Sequence, residues 1–178
     1  MRKSTLYTLL ILFVFCFSQT SYAQHFGKFS TAVNIGITNI TSGGSDEKTF
    51  VHISGEAEYG VAPNLSIVGV AGYSSNAIYS LTEVTANGKY YFNPFAKVRY
   101  FGEAGLGSYS TKVDFGGIFV LASVSESYFG INAGAGAVTS LTDKVELVAK
   151  LKYHNPFPKS GSGSLNWLNF TIGASVSL

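Results

Sequence analysis

The sequence predicts an all-β fold, a closed up-and-down antiparallel transmembrane β-barrel of eight strands. Three observations predict it: an amino-terminal secretory signal, a long succession of segments alternating apolar with small or polar residues, and strand charges held to one phase. Successive side chains of a strand point to opposite faces, so a period of two means one greasy face and one polar face. No stretch after Ala23 reads as a continuous apolar helix, so a chain of this kind crosses a bilayer with strands.

The amino terminus carries Arg2 and Lys3, a mostly apolar run from Leu6 to Ser18, and small residues at Ser21 and Ala23 before Gln24. That is the three-part grammar of a signal peptide, and the run is short of the about 20 residues a spanning helix needs. Cleavage is expected between Ala23 and Gln24, which leaves 1–23 as the removed signal and 24–178 as one barrel domain. The single cysteine, Cys16, lies within the signal behind the bulky Phe15, which disfavours a lipid anchor. The mature chain therefore holds no disulfide and no cysteine-based metal site. Twelve basic and ten acidic residues become ten of each once Arg2 and Lys3 are gone. A neutral, charge-poor chain excludes a nucleic-acid partner.

The first strand is the clearest: Phe29, Thr31, Val33, Ile35 and Ile37 alternate with Ser30, Ala32, Asn34, Gly36 and Thr38. The same rhythm places strands at Lys28 to Ile40, Phe50 to Tyr59, Leu65 to Ser74, Glu83 to Phe92, Lys97 to Tyr109, Tyr128 to Val138, Val145 to Tyr153, and Trp167 to Leu178. The third is legible in either phase, because Val68 and Val70 compete with Leu65 and Ile67 for the greasy face.

Connections alternate in length. Gly60 to Asn64, Asn93 to Ala96 and Thr139 to Lys144 are short; Thr41 to Thr49, Ser75 to Thr82, Ser110 to Ser127 and His154 to Asn166 are longer. Outer-membrane barrels segregate their loops this way, with tight periplasmic turns and long outward loops, and an even strand number leaves both termini periplasmic. Gly43-Gly44-Ser45 and Ser160 to Ser164 mark flexible tips. The apolar stretch Phe115 to Ala122 in the third long loop is a candidate extension of the fifth and sixth strands into a hairpin arm.

Charge placement tests the barrel, since Lys or Arg on the lipid face costs roughly 2 to 4 kcal/mol at mid-bilayer. Glu56 and Glu58 share a phase in the second strand with His52 and Ser54, and Glu83 shares one with Lys89 in the fourth. Lys97, Arg99 and Glu103 agree in the fifth, and Glu146, Lys150 and Lys152 in the seventh. Chance phasing gives such agreement about one time in sixty-four, so the faces are assigned by it. Aromatic residues gather near strand ends, with Tyr59, Tyr91, Phe92 and Phe95 by the short turns. Tyr73, Tyr109, Tyr128, Phe129, Tyr153 and Trp167 lie by the long loops, and the two sets are the expected interfacial girdles.

The carboxyl end, Thr171 to Leu178, resembles the terminal insertion signal of outer-membrane barrels, with Gly173, Val176 and Leu178 at the positions that define it. Such signals finish on an aromatic residue, where this chain has Leu178. With Lys89-Tyr90-Tyr91-Phe92 before Asn93-Pro94, and the glycines from Gly102 to Gly107, the mature chain resembles the porin-like outer-membrane β-barrel domain family, of OmpA/OmpX size. The resemblance implies residence in the outer membrane of a diderm bacterium, contact with its lipid, and delivery by the assembly machinery through the last strand.

An eight-stranded barrel is filled by its own side chains. Glu56, Glu58, Lys89, Arg99, Glu103, Glu146, Lys150 and Lys152 are therefore expected to form a lumen charge network, read first as structural ion pairs and second as a narrow path for ions or water. His52-Ile53-Ser54 is the one catalytic candidate. Lipid A deacylases carry a His-x-Ser pair on a barrel strand facing lipid, whereas the phase of Glu56 turns His52 and Ser54 inward. His25 and His154 stand without ligand spacing, and no cofactor or metal is expected. The glycines at Gly102 to Gly107 and Gly130 to Gly136 fall at period two inside strands, which suits close packing in a tight barrel better than phosphate binding. The reading is a non-enzymatic barrel with a structural, adhesive or envelope-maintenance role and an unspecified outer ligand. A soluble lipocalin-like barrel is the remaining alternative, with its greasy face inside.

Overall fold

The computed structural model describes residues 26–42, 49–76, 79–117, 120–157 and 165–178, with side chains throughout except at 113–117 and 120–124. The predicted cleavage site at Ala23 and Gln24, and His25, lie outside the described residues. Eight strands follow in order: β1 Phe29–Ile40, β2 Thr49–Ala62, β3 Leu65–Ser75, β4 Tyr79–Tyr91, β5 Val98–Gly117, β6 Val120–Ser140, β7 Val145–Pro156 and β8 Trp167–Ser177. Each pairs antiparallel with the next, and β1 pairs with β8 from Ser30↔Ser177 to Ile40↔Trp167, closing the barrel.

Alternation decides which way each face turns. On β2, Val51 is 73% exposed while its neighbour His52 is 1% exposed. Val33, Ile35, Ile53, Leu106, Ile131, Leu151, Phe170 and Ile172 likewise stand on the outside, and Glu56, Lys89, Arg99, Glu103, Lys150 and Lys152 are buried within. A greasy exterior around a charged interior is the inverse of a soluble barrel, and it overturns the lipocalin-like alternative. Among the described residues no helix is long and apolar enough to cross a membrane, a test that does not bear on strands.

The ambiguous strand is resolved by its turns. Between Ala62 and Leu65 only Pro63 and Asn64 intervene, and the register Glu56↔Val70, Glu58↔Val68 puts both valines beside inward carboxylates. Val68 and Val70 are buried in the lumen, and Leu65 and Ile67 face out.

Two of the expected outward loops prove to be strand. β4 begins at Tyr79 rather than Glu83, so three residues separate β3 from β4 where a loop from Ser75 to Thr82 was expected. The loop expected from Ser110 to Ser127 is the hairpin arm: β5 and β6 pair without interruption from Val98↔Thr139 to Gly117↔Val120. β4 accompanies β5 as far as Tyr79↔Val113, and β7 leaves β6 at Gly130↔Pro156, so the arm outruns the barrel. This is the hairpin arm expected from the apolar stretch Phe115 to Ala122, although strand above the bilayer has no lipid to face. Ser125 and Ser127, both exposed, stand where membrane strands carry apolar residues.

Glycine makes the narrow lumen possible. A Cβ on Gly105 would run into the carbonyl of Ala86 and the Asn87 side chain, and one on Gly136 would meet the Phe101 ring. Neighbouring strands approach at these points more closely than a side chain permits.

Three residues assigned to the girdles face the lumen instead. Tyr91, Tyr109 and Trp167 are 3%, 0% and 1% exposed. Each has a polar handle that hydrocarbon cannot satisfy and a lumen partner that can; Tyr91 Oη, for example, donates to Glu58 Oε1 at 2.9 Å. Tyr59, Tyr73, Phe92, Phe129 and Tyr153 remain outside.

Candidate functional site

The lumen holds every cluster of chemically able side chains in the described barrel, and it is layered along its axis. At the periplasmic end Tyr91, Phe101, Val138 and Val148 form an apolar cluster. Its rim is charged. Lys89 Nζ donates to Glu58 Oε2 at 2.7 Å and sits 4.7 Å from the Phe101 ring centre; Arg99 pairs with Glu146 and lies 5.4 Å over Tyr91. Ser140 Oγ donates to the same Glu146 oxygen at 3.0 Å. A cavity of about 10 Å³ lies here between Glu56, Glu58, Lys89, Tyr91 and Glu146, room for about one water.

Above this floor the pairs cross the barrel. Lys150 on β7 meets Glu56 on β2, which also accepts from Asn34 Nδ2 at 2.7 Å. Lys152 Nζ stands 3.3 Å from Glu103 Oε1, and Lys150 Nζ stands 4.0 Å from it. All eight residues named from the sequence as a charge network thus line the lumen, arranged as four pairs: Glu58 with Lys89, Glu146 with Arg99, Glu56 with Lys150 and Glu103 with Lys152.

The next layer is one that the sequence reading missed. One residue from each strand takes part: Thr38, His52, Ser74, Glu83, Tyr109, Asn132, His154 and Asn169, all buried. Thr38 Oγ1 donates to Asn169 Oδ1 at 2.7 Å and lies 2.7 Å from Ser74 Oγ. A threonine has one hydroxyl proton, so Ser74 must be the donor to Thr38. Ser74 is then the acceptor toward His52 Nδ1 at 2.8 Å, which fixes His52 with its proton on Nδ1. Asn169 Nδ2 donates to Glu83 Oε2 at 3.3 Å and lies 3.2 Å from His154 Nε2. His154 Nδ1 and Asn132 Nδ2 each lie 3.3 Å from Tyr109 Oη.

His52 and Ser54 both face the lumen, and the hydroxyl within hydrogen-bond reach of His52 is that of Ser74 on β3. His154, without a partner in the linear sequence, is in the fold a member of this layer. The missing signal was the phase: Thr38, Ser74, Asn132 and Asn169 are neutral and escape a search by charge, yet each shares the inward register of its strand. Among the described residues no three His, Cys, Asp or Glu side chains gather as a metal-binding group.

The outer end is closed by Ile40, Phe50, Leu81, Tyr109 and Trp167, with Tyr79 and Leu165 packed against them. Tyr109 meets Trp167 edge-on at 5.2 Å, and His154 stacks on Trp167 at 5.3 Å and 14°. At the opposite end of β8, Gly173 faces Asn34 across the closing seam, while Val176 and Leu178 are exposed on the outside.

No curated protein matches this sequence. Solved structures do match the fold. Neisserial surface protein A (NspA) superposes with a TM-score of 0.70 at 17% identity, covering 85% of this chain and 97% of that one. Ail, the attachment invasion locus protein of Yersinia pestis, gives 0.60 at 16% identity over 86% and 99%. The N-terminal β-barrel domain of Pseudomonas aeruginosa OprF gives 0.59 at 14% over 84% and 97%. The family model described as the outer membrane protein beta-barrel domain matches residues 8–177. An eight-stranded barrel with its charges inside, matched over nearly its whole length, belongs to the outer membrane protein β-barrel domain family and resides in the outer membrane.

Proposed function

We propose that the chain is a non-catalytic envelope barrel, sealed along its axis, that strengthens the outer membrane and displays its outward loops. The observation that carries this reading is the layering of the lumen. Apolar clusters close both ends, and paired charges and a hydrogen-bonded layer fill the space between them. Ions crossing such a lumen would have to break pairs whose members are buried, and nothing in the cavity at the inner end is wider than about one water. In the same reading the segment through Ala23 is removed before Gln24, the assembly machinery engages the last strand through Gly173, Val176 and Leu178, and membrane lipid covers the apolar exterior. His52 and Ser54 serve as lumen filling.

Conductance in planar bilayers tests it. Purified protein is expected to be electrically silent. Opening events in the wild type that change in Arg99→Ala or Glu103→Ala would replace this reading with that of a narrow channel through the charged lumen.

A further inference from the structure

Among the described residues the lumen contains five carboxylates and four lysine or arginine side chains. Glu58, Glu146, Glu56 and Glu103 each have a cation in reach. Glu83 is as deeply buried, 5% exposed, and among the described residues it pairs with no lysine or arginine. Its neighbours are the Asn169 amide at 3.3 Å, His154 Nε2 at 3.3 Å and the Trp167 indole N–H, with the charges of Lys152 and Glu103 beyond ion-pair distance. A buried carboxylate lacking a counter-charge is among the costliest groups a fold can carry, and the remedy within reach is a proton.

We propose that Glu83 and His154 bind one proton between them and so form a proton-dependent latch beneath the outer lid. Bound on either partner, that proton turns the contact between Oε2 and Nε2 into a charge-assisted or neutral hydrogen bond and brings the lumen charge to balance. The groups facing His154 are Glu83 from β4, Tyr109 from β5, His52 from β2, Asn169 and Trp167 from β8, and Lys150 and Lys152 from its own strand. The lysines and His52 oppose a charge on the imidazole. Both lysines are already matched by Glu56 and Glu103, and the Trp167 face stacked on the ring favours a cation there. Loss of the proton leaves Glu83 under Leu81, Tyr109 and Trp167 with neutral donors alone, so alkaline conditions loosen the lid and acid holds it shut.

The chain contains one tryptophan, Trp167, and it lies on the latch, so its emission reports the proton. In the mature protein folded into phosphatidylcholine vesicles, emission should follow a one-proton curve within roughly pH 5 to 9. Heat-modifiable gel migration should show the barrel intact at both extremes. His154→Gln should abolish the curve, and Glu83→Gln should abolish it or move its midpoint by at least about one pH unit. Ring ¹⁵N shifts of His154 or the Glu83 carboxyl ¹³C shift in the wild type give the second measurement, independent of how the variants fold. A titrating shift supports the site even where emission is flat. Emission and both shifts unchanged across the range, or an unaltered curve in both variants, would overturn it.

Discussion

The two ends of the lumen are closed by different means. At the periplasmic end, Lys89 and Arg99 reach over the rings of Phe101 and Tyr91 and meet Glu58 and Glu146, so the apolar cluster is bound by ion pairs. At the outer end the cluster is aromatic and aliphatic, and the ionisable pair beneath it, Glu83 with His154, includes no permanent cation. The contrast teaches that one barrel can be locked at one end by buried ion pairs with lysine and arginine and held at the other by a pair that shares a proton.

The largest effect that separates the two ends is expected from Arg99→Met. It removes the guanidinium facing Glu146 in a site where Arg99 is fully buried, at a cost of about 4 to 5 kcal/mol. Urea unfolding of protein folded into vesicles measures it. Arg99→Met with Glu146→Met should recover most of the loss, because an apolar pair of similar volume leaves no stranded charge. A double variant as unstable as the single one would mean that packing, not pairing, closes this end.

Trp167→Ala should come next, with a loss of about 3 kcal/mol from the emptied lid. The same unfolding measurements at several pH values sharpen the comparison. Removal of the indole should reduce the pH dependence of stability, and Arg99→Met should leave that dependence as it is. Equal changes from both variants would show that the two ends behave as one unit.

How much of this was readable beforehand follows from what a linear pattern can encode. The alternation of Val51, Ile53, Gly55 and Ala57 with His52, Ser54, Glu56 and Glu58 carries the face assignment outright, because phase is local. Which partner each charge meets is not local: Lys150 reaches Glu56 across the barrel, 94 positions away on a strand that is not its neighbour. Tyr91, Tyr109 and Trp167 sit near strand ends and so were read as girdle residues. Their own phase, shared with Lys89, Glu103 and Asn169, marks them as inward, and proximity to an end was the weaker guide. The arm of β5 and β6 was legible from the apolar stretch Phe115 to Ala122 and not from strand alternation. Beyond the bilayer neither face of a strand has lipid to meet, so the alternation of greasy and polar residues that betrays a membrane strand lapses there.

The smallest effect probes the layer that joins the two regimes. Ser74 donates to Thr38 and accepts from His52, so Ser74→Ala strands a buried N–H and a buried hydroxyl oxygen at once, at about 1.5 kcal/mol. Thr38→Val removes the onward donor to Asn169 and should cost about 1 kcal/mol. Stability alone does not distinguish a directional relay from two ordinary hydrogen bonds, but the imidazole does. In the wild type the proton counting places His52 wholly in its Nδ1–H form, and ring ¹⁵N shifts should show that tautomer. In Ser74→Ala the acceptor is gone, so the population should move toward the Nε2–H form that dominates in free imidazole side chains. A wild type already in the Nε2–H form would reverse the direction of every donor from Ser74 to Asn169, and with it the orientation of the amide that Glu83 relies on.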